Sequence, residues 1–212
     1  MKTDKMLAAG LVAVPLFFVT ALTQAFTKDG FDITRHMISQ LATGPLGWIQ
    51  AANFVVTGAL FAVVAVGLHR RMTDGIGRVW APRLVGVFAA GLIGAGLFAC
   101  DPMADYPVGA AEVTTWHGTL HGVASGVAGL ALLTFDVIVF RRLRAEGNTA
   151  GAVTSGVAFV AFLVGPFMIP GLMSVTFAAV SFLAWGWVAV FAAGLRTAPT
   201  FSPRTNAELV AH

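Results

Sequence analysis

Two histidines, His117 and His121, are four residues apart at the start of a long apolar stretch. In a helix this spacing puts both imidazoles on one face, where they could bind a single metal ion such as zinc. The positive end of the helix dipole favours the neutral imidazole, which is the form that binds metals. A third ligand would come from His36 or Asp101. Hydrogen bonding within the protein, or contact with a proton or small ligand, are the alternatives for this pair.

A serine and an aspartate beside these histidines also predict a hydrolytic site. Ser39 and Asp101 would act as catalytic residues next to a zinc-bound water, whose pKa bound zinc lowers to about 7. The metal ligands in this prediction are His36, His117 and His121. No nucleophile-elbow pattern surrounds Ser39, and serine is also common in turns, so a local structural role is the alternative.

The composition of the 212-residue chain determines the setting in which these residues act. Hydrophobic residues make up 57% of the chain and charged residues only 11%, with a mean hydropathy of +0.82. A soluble domain carries about 25% charged residues, and disordered chains have low hydrophobicity. The composition therefore excludes both classes and predicts an integral membrane protein. The ten arginines against three lysines suggest a GC-rich bacterial genome.

Six apolar stretches are each long enough to cross a bilayer, which takes about 20 residues in a helix. They cover residues 6–26, 46–68, 82–100, 116–140, 152–172 and 174–195. The last two adjoin, so Pro166, Pro170 and Gly171 predict a tight turn between them. The expected fold is all-α: a single integral membrane domain, residues 1–212, built as a polytopic bundle of six transmembrane helices.

The charges of the connections predict the orientation of the bundle. Of the thirteen lysines and arginines, only Lys28 and Arg35 lie on the side opposite the termini. The eleven on the other side are Lys2, Lys5, Arg70, Arg71, Arg78, Arg83, Arg141, Arg142, Arg144, Arg196 and Arg204. Since basic residues concentrate in cytoplasmic connections, we expect a multi-pass plasma-membrane protein with both termini in the cytoplasm. The length of the first stretch favours an uncleaved helix over a signal peptide, whose cleavage would leave five spans.

The side opposite the termini carries the unusual polar residues. Its two polar connections, residues 27–45 and 101–115, hold five of the ten acids and His36, and His117 and His121 follow directly after the second connection. These residues could therefore converge on one outward-facing pocket. Apolar residues recur at helical spacing from Ile33 to Leu41 and predict a short amphipathic helix at the membrane interface, ended by a Gly-Pro pair. Such a helix would be either a simple connector or a lid over a cavity between the membrane helices.

Two further features of the fourth stretch concern helix packing. Gly118, Gly122 and Gly126 form a stripe beside the histidines, which would allow another helix to approach closely. Asp136 is the only acid well inside a span. We expect its side chain to reach the interface or to pair with the arginines that follow it, and a proton relay is the alternative.

Other patterns argue against several functions. Basic residues lie in short clusters between apolar stretches rather than on one soluble face, so nucleic-acid binding is not expected. Two histidines on one helix face cannot occupy opposite axial positions of one haem. The single Cys100 cannot form an intramolecular disulfide.

Several short motifs resemble the bacterial and archaeal membrane family known as domain of unknown function 998 (DUF998). The resemblance extends over about residues 6–195. Its motifs are Arg35-His36-Met37-Ile38-Ser39-Gln40-Leu41, Trp48, Asn53-Phe54, Phe98-x-x-Asp101 and the segment from His117 to His121. The resemblance implies a six-helix bundle with a polar cluster on its outer side. It implies no activity, because the family has none assigned.

A looser chemical similarity is to the ceramidase and adiponectin-receptor superfamily of membrane hydrolases. Those enzymes combine a serine, an aspartate and a His-x-x-x-His pair around zinc. The matching residue types here are Ser39, Asp101, His117 and His121. The chain departs from that pattern because it has six spans and its histidine pair opens the fourth helix rather than a late one. Similarity of this kind does not establish function.

The sequence therefore predicts an integral membrane protein with an outward-facing pocket of histidine, aspartate and serine side chains. A zinc-dependent hydrolase that acts on a lipid is the enzymatic hypothesis. The alternatives are a transporter or sensor that binds a small polar ligand or a proton, and a structural membrane subunit without catalysis. The lipid bilayer is the expected partner, and the residues specify neither a substrate nor an oligomeric state.

Overall fold

The computed structural model describes residues 1–196, which form six long α-helices and two short 3-10 helices. The long helices are α1 (Thr3–Thr27), α2 (Gly47–Arg71), α3 (Trp80–Leu97), α4 (Trp116–Ala145), α5 (Thr149–Val164) and α6 (Met173–Gly194). The 3-10 helices cover Ile38–Ala42 and Gly165–Phe167. Six helices, counting α5 with the 3-10 turn that follows it, are long and apolar enough to cross a membrane. The predicted all-α fold with six spans is confirmed.

The helix boundaries differ from the predicted spans in two ways. Turn residues end some helices early, and α4 continues past its apolar stretch into charged residues. α3 ends at Leu97, so Cys100 lies in the connection to α4 rather than in the span. α5 ends at Val164 rather than at residue 172, because a Gly-Pro pair starts a 3-10 turn there. α4 continues to Ala145 and includes the arginines that follow its apolar stretch.

The six helices pack as a ring in chain order, and α6 closes the ring by packing on α1. α4 packs mainly on α3 and α5, whereas α6 packs mainly on α1 and α5, so α4 and α6 face each other across the interior. Aromatic rings fill the centre of this interior. The ring of Trp185 in α6 lies 4.8 Å from that of Phe17 in α1 and 5.3 Å from that of Phe88 in α3, measured between centroids.

Small residues bring α3 and α4 into close contact, but not through the predicted glycine stripe. A Cβ atom added at Gly91 of α3 would lie only 2.7 Å from the Cβ of Ala128 on α4. On the stripe itself, Gly118 lies against the connection between α3 and α4, while Gly122 and Gly126 face open space. The prediction that this stripe packs against another helix is therefore wrong. α4 contacts α3 through a different face, which carries Ala128.

The bundle has two chemically different ends. The acidic end is formed by the connections 28–46, 98–115 and 165–172, and it holds Asp29, Asp32, Asp101, Asp105 and Glu112. The basic end is formed by residues 1–2, the connections 72–79 and 146–148, and residues 195–196. The neighbouring helix ends add most of the arginines to the basic end. Arg204, which the charge count assigned to the same side, lies outside the described residues.

The predicted amphipathic helix in the first acidic-end connection is only partly present. Residues 33–36 form a turn, and only Ile38–Ala42 is helical, as a 3-10 helix. Leu41 is fully buried against two alanines of α1, and Ile33 packs beside it. The apolar spacing therefore reflects packing of an irregular segment on α1 rather than a continuous helix at an interface.

Asp136 does not pair with the arginines that follow it. Within the described residues it has no ion pair, and it is only 2% exposed. Arg142 instead places its Nε 2.8 Å from a carboxylate oxygen of Glu146 and donates to the backbone of the connection 72–79. The prediction of an arginine partner is wrong because residues five and six positions further along a helix do not share the face of Asp136.

Candidate functional site

His36 joins the two polar connections of the acidic end through its ring nitrogens. Its Nδ1 accepts a hydrogen bond from the backbone N–H of Asp32 (2.9 Å), and its Nε2 lies 3.0 Å from the carbonyl oxygen of Ala104. Because Nδ1 accepts, Nε2 is the ring nitrogen that donates to this carbonyl oxygen. The ring is buried between Phe31 and Tyr106. Both nitrogens are therefore bonded within the protein.

Two further hydrogen bonds hold the same connections together. Gln40 Nε2 donates to the carbonyl oxygen of Met103 (2.6 Å), and the Cys100 thiol donates to the carbonyl oxygen of Ser39 (3.2 Å). Burial raises the pKa of the Cys100 thiol to about 11, so it stays a protonated donor at neutral pH. The two polar connections thus lie together, and we call this hydrogen-bonded pair of connections the cap.

Asp101 fixes the start of α4. Its carboxylate accepts hydrogen bonds from the backbone N–H of Thr115 (2.9 Å) and from the Thr115 hydroxyl (2.5 Å). These bonds hold the pKa of Asp101 below its ordinary value, because they stabilise the charged form. Thr115 in turn accepts from the N–H of Gly118 and caps the helix. A Cβ atom at Gly118 would overlap the carboxylate, so the arrangement requires glycine there.

His117 and His121 form hydrogen bonds with backbone carbonyl oxygens at the end of α3. Nδ1 of His117 lies 3.0 Å from the carbonyl oxygen of Ala99. Nδ1 of His121 lies 2.9 Å from two carbonyl oxygens, those of Ala95 and Phe98. Since carbonyls only accept, each Nδ1 carries a proton, and each Nε2 is the acceptor nitrogen when the ring is neutral. Neither Nε2 has a hydrogen bond within the described residues, so each remains able to bind a ligand or a metal.

A cavity of about 420 Å³ lies beneath the cap, between α4 and α6. Its lining is mainly apolar and aromatic, and includes Phe17, Phe18, Phe54, Phe88, Leu92, Leu132, Phe162, Phe177 and Trp185. Its polar lining consists of Ser39, His121, Ser125, Ser174 and Ser181. Ser39, His121 and Ser174 lie near the acidic end, whereas Ser125 and Ser181 lie about 14 Å and about 12 Å along their helices from that end. Along α4 the cavity extends from His121 to Leu132, about 16 Å at 1.5 Å per residue.

The cavity is open to the surroundings beside the part of α4 that is nearer the acidic end. Phe162, close to the end of α5, lies against Gly129 of α4. The part of α4 nearer the cap therefore extends past α5, and there Ser125 and Gly126 line the cavity while remaining exposed. Gly126 is about 15 Å from the start of α4. At that depth the opening lies within the membrane-spanning part of the helix.

The predicted site residues fall into two groups. Ser39 and His121 line the cavity, whereas His36, Asp101 and His117 hold the cap and the helix ends together and do not line it. Within residues 1–196, no group of three or more His, Cys, Asp or Glu side chains is placed to hold a metal ion. The zinc site and the catalytic roles of Ser39 and Asp101 therefore stay predictions.

The α6 wall of the cavity was missed by the sequence analysis. Ser174 and Ser181 are seven residues apart in a mainly apolar helix, and Trp185 follows four residues later. This spacing puts all three residues on one face. Serines on one face of a membrane helix mark a side that packs inside the protein, so the spacing was a usable signal. The cavity-lining phenylalanines carry no such signal, because other phenylalanines of this chain, such as Phe26 and Phe182, are exposed.

Comparison with known proteins identifies a family. No curated protein and no solved structure matches the chain. The family model described as "Protein of unknown function (DUF998)" matches residues 11–194. The matched range includes the whole cap and every residue that lines the cavity. The resemblance seen in the short motifs is confirmed, and the chain belongs to the DUF998 family of proteins of unknown function.

Proposed function

We propose that this protein binds an amphipathic molecule from the bilayer, a fatty acid or another single-chain lipid, in the cavity between α4 and α6. The supporting observation is the distribution of groups along the cavity. Its interior is mainly apolar and aromatic, and Ser39, His121 and Ser174 lie at its acidic end. The apolar chain would occupy the aromatic part, and the headgroup would lie under the cap.

The dimensions of the cavity favour one apolar chain. Its volume of about 420 Å³ falls within the roughly 300–1,000 Å³ that is typical of small-molecule sites. Its length of about 16 Å along α4 is about half the thickness of the hydrocarbon core, about 30 Å. A chain that entered through the opening beside Gly126 would therefore remain within one leaflet.

His121 determines which headgroups fit. Its Nδ1 is bonded to carbonyl oxygens of α3, so its Nε2 is the nitrogen that can meet a ligand at the cavity wall. The Ser39 hydroxyl has no hydrogen bond within the described residues and can donate or accept. A headgroup that carries its own donor, such as a protonated carboxylic acid, an alcohol or an amide, would bond to both.

A photoreactive lipid tests this site. Protein reconstituted into vesicles that contain a diazirine-bearing fatty acid should be labelled on illumination, in peptides from α4 and α6. Gly126→Leu places a large side chain at the cavity wall. It should lower labelling roughly tenfold, which corresponds to a loss of about 1.4 kcal/mol in binding free energy. Gly122→Leu is the matched control, because Gly122 is one turn away, faces open space and does not line the cavity. Equal labelling of both variants and the wild type would refute the cavity as the site.

Two substitutions of His121 separate its bonds to α3 from its contact with a ligand. His121→Asn keeps an N–H donor in the place of Nδ1 and removes Nε2, and His121→Gln does the reverse. We expect His121→Asn to have the same free energy of unfolding as the wild type and to lose most of its labelling by the lipid. We expect His121→Gln to lose stability because two α3 carbonyls lose their donor. Full labelling of folded His121→Asn would restrict His121 to a structural role.

A zinc-dependent hydrolase that acts on the bound lipid is the second candidate. It is supported by the bonds from Nδ1 of His117 and His121 to backbone carbonyls, which is how metal-binding histidines are commonly oriented. Elemental analysis of protein purified without chelators should then find about one zinc per chain. The double variant His117→Ala, His121→Ala should contain none. Metal-free wild type after such a purification would refute this candidate.

We also propose that the basic end is cytoplasmic and the acidic end faces out of the plasma membrane. The support is the concentration of lysine and arginine at the basic end. A membrane-impermeant maleimide applied to intact cells should label Asp105→Cys and not Arg144→Cys, since both positions are exposed, at opposite ends. Cys100 is buried and gives no background. The reverse labelling would overturn the proposed orientation.

A further inference from the structure

Asp136 is a buried acid that neither lines the cavity nor belongs to the cap. It lies on α4 and is 2% exposed, and its Oδ1 is enclosed without a hydrogen-bond partner in the described part of the chain. An ionised carboxylate without a partner is strongly unfavourable in an apolar interior. Such a group takes up a proton instead and becomes neutral.

The helices packed around Asp136 provide no compensating charge. Gly129 and Leu143, each seven residues from Asp136, both lie against α5, so Asp136 faces α5 as well. α5 contains no titratable residue. α6 contains none either, and its Phe191 packs against Phe135, the neighbour of Asp136.

The charged groups nearest in sequence and at the basic end are bound or directed elsewhere. α3 carries one titratable residue, Arg83, whose guanidinium lies 5.4 Å from the centre of the Trp80 ring. On α4, Arg142 binds Glu146 and the backbone of the connection 72–79. The remaining charged residues of α4 and that connection are exposed, and are Arg141, Arg144, Asp74 and Arg78.

Asp136 lies between two pockets of the bundle. One turn toward the cap, Leu132 lines the cavity, and two turns toward the basic end, Leu143 lines a second pocket of about 310 Å³. Trp187 lines the second pocket too, and its Nε1 donates to Ser155 Oγ (2.9 Å). Ser155 is fully buried on α5 and, by the helix register, level with Asp136. The second pocket thus extends from the basic end to Trp187, which is bonded to Ser155 at about the level of Asp136.

We propose that Asp136 is an intramembrane proton-binding site. Its side chain is the neutral carboxylic acid at neutral pH and exchanges its proton through the pocket at the basic end. On release the O–H bond breaks, the proton passes to water in that pocket, and an unpaired carboxylate remains at the interface of α4 and α5. The neutral form therefore favours close packing of these helices. This proposal does not depend on lipid binding.

Infrared spectroscopy of the full-length protein in vesicles tests the neutral state. At about pH 7 the wild type should show a C=O stretching band of a protonated carboxylic acid, because exposed carboxyl groups are ionised at that pH. Asp136→Asn, which is nearly the same shape, should lack the band. Asp74→Asn, which removes an exposed acid at the basic end, should keep it. Absence of the band from the folded wild type would overturn the proposal.

Deuterium and pH test the exchange of the proton. Transfer into D₂O should shift the band, and raising the pH to about 10 should remove it, since buried carboxyl groups titrate as high as about 8–9. A band that neither shifts nor titrates would overturn the proposed exchange. Asp136→Glu should move the band without removing it, and so provides the assignment if Asp136→Asn does not fold.

Discussion

The two ends of the bundle hold their polar residues in opposite ways. At the acidic end, polar side chains bind one another and the backbone, and His36, Gln40, Cys100 and Asp101 each connect two segments of the chain. At the basic end most charged side chains are exposed, and the buried acid nearest to it, Asp136, has no partner in the described residues. Hydrogen bonds therefore hold the polar side chains of the acidic end in place, whereas most charged side chains of the basic end are exposed to the surroundings.

This difference bears on the proposed lipid binding. A site that recognises one molecule needs groups held in place by neighbours, and the cap provides that rigidity above the cavity. Exposed arginines at a membrane surface act through their charge and need no fixed geometry. Substitutions at the acidic end should therefore change stability and binding, and matched substitutions at the basic end should change little.

The largest expected effect is that of His36→Ala. The substitution removes a buried ring and leaves the Asp32 N–H and the Ala104 carbonyl without their partner. We expect a loss of about 3 kcal/mol in the free energy of unfolding, measured in mixed detergent micelles. Arg141→Ala at the basic end removes an exposed side chain and should change the same quantity by less than about 0.5 kcal/mol. Equal effects would contradict the contrast between the ends.

Two alanine substitutions one turn apart on α4 sharpen the comparison. Gly118→Ala introduces a Cβ that overlaps the Asp101 carboxylate, and should destabilise the protein by about 1–3 kcal/mol. Gly122→Ala faces open space and should instead stabilise it by about 0.5–1 kcal/mol, because alanine favours the helix. Thermal unfolding of both variants measures the difference. A change of the same sign in both would show that Asp101 does not approach α4 as described.

A smaller effect is expected at the basic end from Arg142→Ala. Arg142 binds the exposed Glu146 and two carbonyl oxygens of the connection 72–79. Exposed ion pairs contribute at most about 1 kcal/mol, and we expect a loss of about that size. Hydrogen exchange should increase in residues 72–79 and remain unchanged in the cap. Faster exchange in the cap would show that the two ends are coupled.

The smallest effect is the pH dependence of the cap. Hydrogen bonds from Thr34 and Thr115 hold the pKa values of Asp32 and Asp101 below those of unfolded aspartates. Their stabilising contribution is therefore present above about pH 4 and is lost as the pH falls through the lower folded values. Amides at the start of α4 should lose protection against hydrogen exchange at acid pH, measured relative to the intrinsic rate at each pH, and Asp101→Asn should flatten this dependence. An acid-induced loss of protection of equal size in Asp101→Asn would assign it to other groups.

The fold was predictable because the membrane imposes simple rules on the sequence. Apolar stretches of about 20 residues must be helices in a bilayer, so counting them predicts six spans. The boundaries were less predictable, since a Gly-Pro pair ended α5 early and the arginines of α4 continued its helix. The packing face of α4 was not predictable from its glycines, because an alanine face also permits close approach.

The site was predictable in its residue types and only partly in their arrangement. His121 was identified because polar groups are costly in a membrane and stand out in an apolar stretch. Ser39 was identified as a possible catalytic serine in a polar connection on the same side as the histidines. His36 was expected to be a ligand, but both of its nitrogens are bonded to backbone groups from segments far apart in the chain. Such bonds depend on irregular loop backbone, which residue spacing does not encode.

The short α5 leaves the cavity open toward the lipid, and this has a consequence for occupancy. A molecule that enters from the bilayer is present at its membrane concentration, which partitioning sets. Each added methylene favours the membrane by about 0.8 kcal/mol, or about fourfold. Among otherwise similar molecules, chain length would therefore control how full the cavity is, even where direct affinity for its walls is constant.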